Sequence, residues 1–190
     1  MAQIVKRGAG LLYMKVGNHA QESLTDIIRR KTAEITQAGY ALWGYGGNTC
    51  HPLKVVQPFA KSYAQRGEVI YLCMQPMDSK HFAEPVRAKE FSGDGLHWEE
   101  IPPSINVLGS RYALTVADLR PEEFDLPLAR TRVALGTCQG RLGSDYVAGR
   151  VDKACLEVLG EEAVEPDDRS VVHIGLVARI VEPYAVFVRN

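Results

Sequence analysis

The sequence predicts an α+β domain: a strongly curved mixed sheet, or a partly closed β-barrel, with two helices from the N-terminal half packed on it. Three observations predict this. Helical spacing of apolar residues occurs twice, in both cases before residue 67, and each time after a β-type run. Beyond residue 67 the apolar segments are short, β-branched or alternating, and are separated by Gly, Pro and Asp. Finally, 190 residues that are 46% hydrophobic and 24% charged suit one domain, spanning 1–190, with a core of its own. Two crossover helices are too few for a doubly wound parallel sheet.

In chain order, "GLLYMKVG" (10–17) is a loosely alternating β run. "NHAQESLTDIIRRKTAEITQAG" then reads as a helix, with Asn18 as N-cap and Gln21 completing a capping box. Leu24, Ile27, Ile28, Ile35 and Ala38 recur at helical spacing and Gly39 supplies the stop. "YALW" (40–43) is a second strand. "HPLKVVQPFAKSYAQRG" (51–67) is a helix with Pro52 in its first turn, where a missing N–H is harmless. Pro58 predicts a kink, or a helix that truly starts near it. "EVIYLCMQ" (68–75) is a buried strand. "EPVRAKEFS" (84–92) and "LHWEEIP" (96–102) form a hairpin around "GDG". "RYALTVADL" (111–119) and "TRVALG" (131–136) are strands. "YVAGRVDKACLEVL" (146–159) starts as a strand with a bulge at its glycine. "VVHIGLVARIV" and "YAVFVR" close the series, as one bent strand or two divided at Glu182-Pro183.

Several classes are excluded or disfavoured. No apolar run approaches the roughly 18 residues of a membrane span, so no membrane partner is expected. "MAQIVKRGAG" has no apolar signal core, and Cys50, Cys73, Cys138 and Cys155 have neither metal-ligand nor redox spacing. The expectation is a cytoplasmic protein with reduced thiols, no metal and no cofactor; self-association is left open. The net charge of −1 hides an asymmetry. Residues 1–66 carry nine Lys/Arg and three acids, while the rest carry 13 and 20. A basic first third is suited to phosphates.

"WGYGGNTCHP" (43–52) is the stretch least like ordinary packing. If a helix starts near residue 51, its unpaired N–H groups favour an anion. The glycines Gly46 and Gly47 let a ligand approach the backbone, with Asn48, Thr49 and His51 beside them. Trp43 and Tyr45 are suited to stack a base. Cys50, at the same helix end, is the candidate nucleophile, with His19, His81 or His97 as its base. "GTCQGRLGSDYVAGR" (136–150) is a second glycine-rich stretch, in which Arg141 and Arg150 are candidate phosphate contacts. Arg29, Arg30 and Lys31 supply a third basic cluster. Ser110 and Arg111 stand at a strand start, where they can meet phosphate or simply end a turn.

The order of these features resembles the PUA-like superfamily, in particular its EVE and ASCH branches, small barrels that bind RNA or modified bases in DNA. The resemblance rests on "ALWGYGG" before a helix, "AKSYAQRGEVIYLCM", the hairpin "GDGLHWEEIP" and the following "RYALTVADLRPEEF", and covers residues 40–120. Where that family carries Arg-Asn after the tryptophan, Gly44-Tyr45-Gly46-Gly47 stands here. The resemblance implies a nucleic-acid or modified-base ligand and transfers no catalytic residue.

The expected function is therefore a module binding a nucleotide, nucleic acid or modified base through Trp43–Pro52 and basic residues. One alternative is a nucleotide-directed transferase or hydrolase using Cys50. Another is a protein-interaction module, whose mark would be an unpaired apolar edge such as "YAVFV".

Overall fold

A computed structural model describes residues 4–45, 51–81, 83–148, 151–160 and 170–190, with backbone alone at 79–81. Among the described residues nine strands form one mixed, open sheet: β1 (Gly10–His19), β2 (Ala41–Tyr45), β3 (Tyr71–His81), β4 (Glu90–Ser92), β5 (Glu99–Glu100), β6 (Tyr112–Pro127), β7 (Thr131–Val133), β8 (Lys153–Val158) and β9 (Val171–Arg189). The main order is β2-β6-β9-β3-β1-β8-β7, and the β4–β5 hairpin branches off β9. Among these strands only β1 and β3 pair in parallel, and the connection between them carries two described helices of the N-terminal half. These are α1 (Leu24–Ala38) and α2 (Gln57–Ala64), the latter entered through one π-helical turn at Pro52–Val56. The helix thus changes character at Pro58, in the first turn of α2, where the sequence placed a kink or a start.

Strand alternation buries both faces of the sheet. In β1, Leu12, Met14 and Val16 join α1 and α2 in one core, whereas Leu11 and Tyr13 join Phe124, Leu126 and Val177 in a second core on the opposite face. A third cluster covers the β2 end: Leu42, Ala113 and Val186 pack against Ile101, Ile105 and Val107 of the loop before β6. Bulges in the β6–β9 ladder, after Leu114, Ala117 and Pro121, curve the sheet.

Four expectations are corrected. Helix α1 is capped by Ser23, because β1 continues through Asn18 to His19. Ser23 Oγ accepts from the Asp26 amide at 3.1 Å and donates to its carboxylate at 2.7 Å, while Asn18 Oδ1 still reaches the Leu24 amide at 3.2 Å. Residues 84–89 are not strand: Pro85 offers no donor to a ladder, and Arg87 spends its guanidinium on the carbonyls of Pro102 and Ile105. The hairpin around "GDG" is a six-residue loop organised by Asp94, whose Oδ1 accepts from the Leu96 and His97 amides, both at 2.8 Å. The segment from residue 146 begins as helix, α3 (Gly143–Val147), and strand β8 starts only at Lys153.

One alternative also loses its marker. "YAVFV" is not an open edge: Phe187 pairs with Tyr112 of β6 on one side and Ser92 of β4 on the other.

Candidate functional site

Where β1 ends, α1 begins and β2 runs alongside, the chain leaves a cavity of ≈ 560 Å³. Its aromatic wall is Trp43 and Tyr45, placed on the α1 face by the alternation of β2. Both are deeply buried, and the Tyr45 ring lies 6.2 Å from that of Tyr112. Met14, Ile27 and Met77 add apolar surface. The facing wall is the loop from Asn106 to Ser110, which approaches the β2 backbone closely. A Cβ at Gly44 would sit 2.5 Å from Ser110 Oγ, and one at Gly109, where φ is +59°, would meet Glu84 O at 2.8 Å. Gly44 thus lets the loop pack directly on β2, whereas Gly109 lets the loop pass close to residues 83 and 84 in a left-handed conformation.

That loop is fastened to α1 by charge. Ile27, Lys31 and Glu34 form the buried stripe of the helix, so an ion pair occupies two of the three positions. Lys31 Nζ lies 2.9 Å from Glu34 Oε2, with the two side chains 3% and 2% exposed. Arg30 bonds Glu34 Oε1 at 3.0 Å and also pairs with Glu22. Arg30, Lys31 and Glu34 converge on Asn106: its amide donates to Glu34 at 3.0 Å, and its carbonyl accepts from Arg30 at 2.7 Å and from Lys31. Its side-chain oxygen accepts from Arg87 at 2.8 Å. Burial pushes the Lys31 ammonium down to about 8, against the pull of Glu34. Nearby, His19 Nε2 contacts the Leu108 carbonyl at 3.0 Å.

The structure thus brings Trp43, Tyr45, Arg30 and Lys31 to one cavity. Arg30 and Lys31 direct their charges into carboxylates and a carbonyl. Arg29 points outward, 74% exposed, and pairs with Asp26 at 3.0 Å. His51 does not line the cavity; its Nδ1 accepts from the Lys54 amide at 3.3 Å, and its ring packs 5.4 Å from Phe187 and 5.6 Å from Tyr112. Arg141 is exposed between β7 and α3, outside the cavity lining. Gly46, Gly47, Asn48, Thr49, Cys50 and Arg150 lie outside the described residues.

Sequence reading missed Asn18, Met77, Asn106 and Lys153 as lining residues. One usable signal existed: Lys31 and Glu34 continue the helical spacing of Ile27, which places a charge pair on the buried stripe and demands a polar partner opposite.

No family model, curated protein or solved structure matches this chain. Among the described residues no group of three or more His, Cys, Asp or Glu is arranged to hold a metal, and no helix is long and apolar enough to cross a membrane.

Proposed function

We propose that this protein is a binding module for a nucleobase, presented as a nucleoside, nucleotide or nucleic acid, with the cavity beside β2 as its seat. The observation that carries this reading is the pairing of an aromatic wall, Trp43 and Tyr45, with a polar loop across a space of ≈ 560 Å³. That size falls within the roughly 300–1,000 Å³ typical of small-molecule sites. A flat heterocycle combines apolar faces with donors and acceptors at its edge, and the cavity offers surfaces for both. The balance of charge also favours a neutral ring in the interior: Arg30 and Lys31 are matched by Glu22 and Glu34, and Lys15 lies 3.7 Å from Asp152. Lys153, which has no ion pair among the described residues, lines the cavity and can meet a phosphate carried by the same ligand.

The test uses Trp43 as its own reporter. The chain has two tryptophans, and Trp98 is not a lining residue. In a Trp98→Phe variant, titration with nucleosides, nucleoside monophosphates and short single-stranded oligonucleotides should change Trp43 emission saturably for at least one base. Lys153→Gln should weaken the monophosphate more than the nucleoside. Unchanged emission throughout, up to millimolar ligand, would remove the reading.

A further inference from the structure

We propose that Asn106 selects the ligand of the cavity beside β2, and that the base seated there is an oxo base, meeting the Asn106–Ser110 loop through a ring carbonyl rather than an amino group. This rests on the nucleobase reading and narrows it to one class of base.

An asparagine side chain offers one acceptor oxygen and two N–H donors, and here the oxygen is already engaged. Arg87 Nε donates to Asn106 Oδ1 at 2.8 Å. A guanidinium donates and never accepts, so the amide oxygen faces Arg87 and the amide nitrogen is turned away from it. Arg87 lies outside the cavity lining, whereas Asn106 is part of it. Asn106 Nδ2 donates to no described residue. Nor is it one of the unpartnered side-chain atoms withdrawn from solvent among the described residues, which are Thr115 Oγ1 and Arg130 Nε. It is therefore open to a ligand atom.

The position of this donor is fixed from several sides. The Asn106 amide donates to Glu34 at 3.0 Å and its carbonyl accepts from Arg30 at 2.7 Å. Arg87 is itself held by the carbonyls of Pro102 at 3.2 Å and Ile105 at 2.9 Å. A donor held in this way loses little freedom when a ligand arrives. The cation on Oδ1 also polarises the amide, which strengthens its N–H groups as donors. Carbonyls on the same wall already accept: Val107 O takes the Ala88 amide at 2.9 Å, and Leu108 O takes the Ser110 hydroxyl at 3.3 Å and lies 3.0 Å from His19 Nε2. The lining carboxylates Glu22 and Asp152 face Arg30 and Lys15. An amino group against Nδ2 would set donor against donor and leave both without an acceptor, a costly outcome in a half-buried site. A carbonyl oxygen satisfies the same N–H.

The experiment compares two pairs of nucleosides, inosine with adenosine and uridine with cytidine, by calorimetry and by Trp43 emission in the Trp98→Phe background. Within each pair one ring carbon carries oxo or amino, and the ring nitrogen beside it is protonated or not. For whichever ring the cavity takes, the oxo member should bind about tenfold more tightly or better. Asn106→Asp nearly keeps the size and keeps the bond from Arg87 but replaces the donor by an oxygen, and should reverse the order. If that variant does not fold, Arg87→Met frees Oδ1, lets the amide turn, and should bring the two affinities within about threefold of each other. An amino member bound by wild type as tightly as its oxo partner would overturn the proposal, and this ranking needs no substitution in the site. An unchanged ranking in a folded variant would overturn the role of Asn106. Binding without ranking removes the oxo assignment alone, whereas no binding by any of the four removes the nucleobase reading and the oxo assignment together.

Discussion

At the scale of residues, the Lys31–Glu34 pair has the clearest consequences. Both side chains are almost fully enclosed, and Glu34 also holds the Asn106 amide. Glu34→Gln removes the carboxylate that compensates the buried Lys31 ammonium, and is expected to cost on the order of 3–5 kcal/mol. Adding Lys31→Met should recover part of that loss, which urea melts of the two single variants and the double variant will measure. The pair also links stability to pH. Lys31 releases its proton near pH 8 in the folded protein but near 10.5 in the unfolded chain. Between those values the unfolded chain holds the extra proton, so this group makes folding more favourable as pH rises. Cys73 and Tyr13, whose ionisation burial opposes, pull the other way in the alkaline range. The difference between wild type and Lys31→Met cancels their effect. Wild type should gain on the variant by on the order of 1–3 kcal/mol from pH 8 to 10.5. A gap that stays constant with pH would mean that Lys31 does not titrate there.

At the scale of elements, the caps explain which boundaries could be read. Gly39 ends α1 in the left-handed conformation, with its amide 2.8 Å from Ile35 O, and the sequence gives that stop directly. The start was obscured because two capping residues compete: Asn18 reaches the Leu24 amide and Ser23 the Asp26 amide. Ser23 is the residue in the capping geometry, so Ser23→Ala should lower stability by about 1 kcal/mol. Asn18→Ala, at an exposed position outside the helix, should cost less; chemical denaturation separates the two. Helix α3 was not legible for a different reason. Only five residues long, it has Leu142 at its N-cap position, which supplies no side-chain hydrogen bond, and its Tyr146 and Val147 have strand propensity. Tertiary contacts with β7 and β8 hold it.

At the scale of the whole molecule, the α+β architecture was legible because periodicity changes from helical to β near residue 67, and that change survives folding. Strand order was not, since it depends on partners far apart in sequence, such as Leu11 with both Tyr71 and Leu156. The candidate site divides in the same way. Trp43 and Tyr45 stood out locally by composition. The loop opposite them, "NVLGS", reads as an ordinary turn, and gains its position largely through partners distant in sequence, among them a helix more than 70 residues earlier. The surplus positive charge of the first third is likewise redistributed: the cations of α1 are spent on Asp26, Glu22 and Glu34, while Lys6 and Arg7 form no ion pair among the described residues. Replacing Arg29 by Gln should therefore leave stability within about 0.5 kcal/mol of wild type, as at ordinary surface positions. A thermal melt checks this, and a larger loss would show that Arg29 supports the buried network.

The placement of β9 between β6 and β3 reaches beyond the folded state, to how the fold is acquired. During synthesis β2 and β3 emerge long before β6 and β9, the strands that flank them in the sheet. Only the β1–β3 pair is available early, and it must close a loop of more than 50 residues. The nascent N-terminal half therefore holds apolar strands that lack part of their sheet partners, a state expected to be prone to association. Refolding in vitro should be slow, on the millisecond-to-second scale of sheets built from distant pairings. Stopped-flow fluorescence should show Trp43 becoming buried in that late step, together with the last strand.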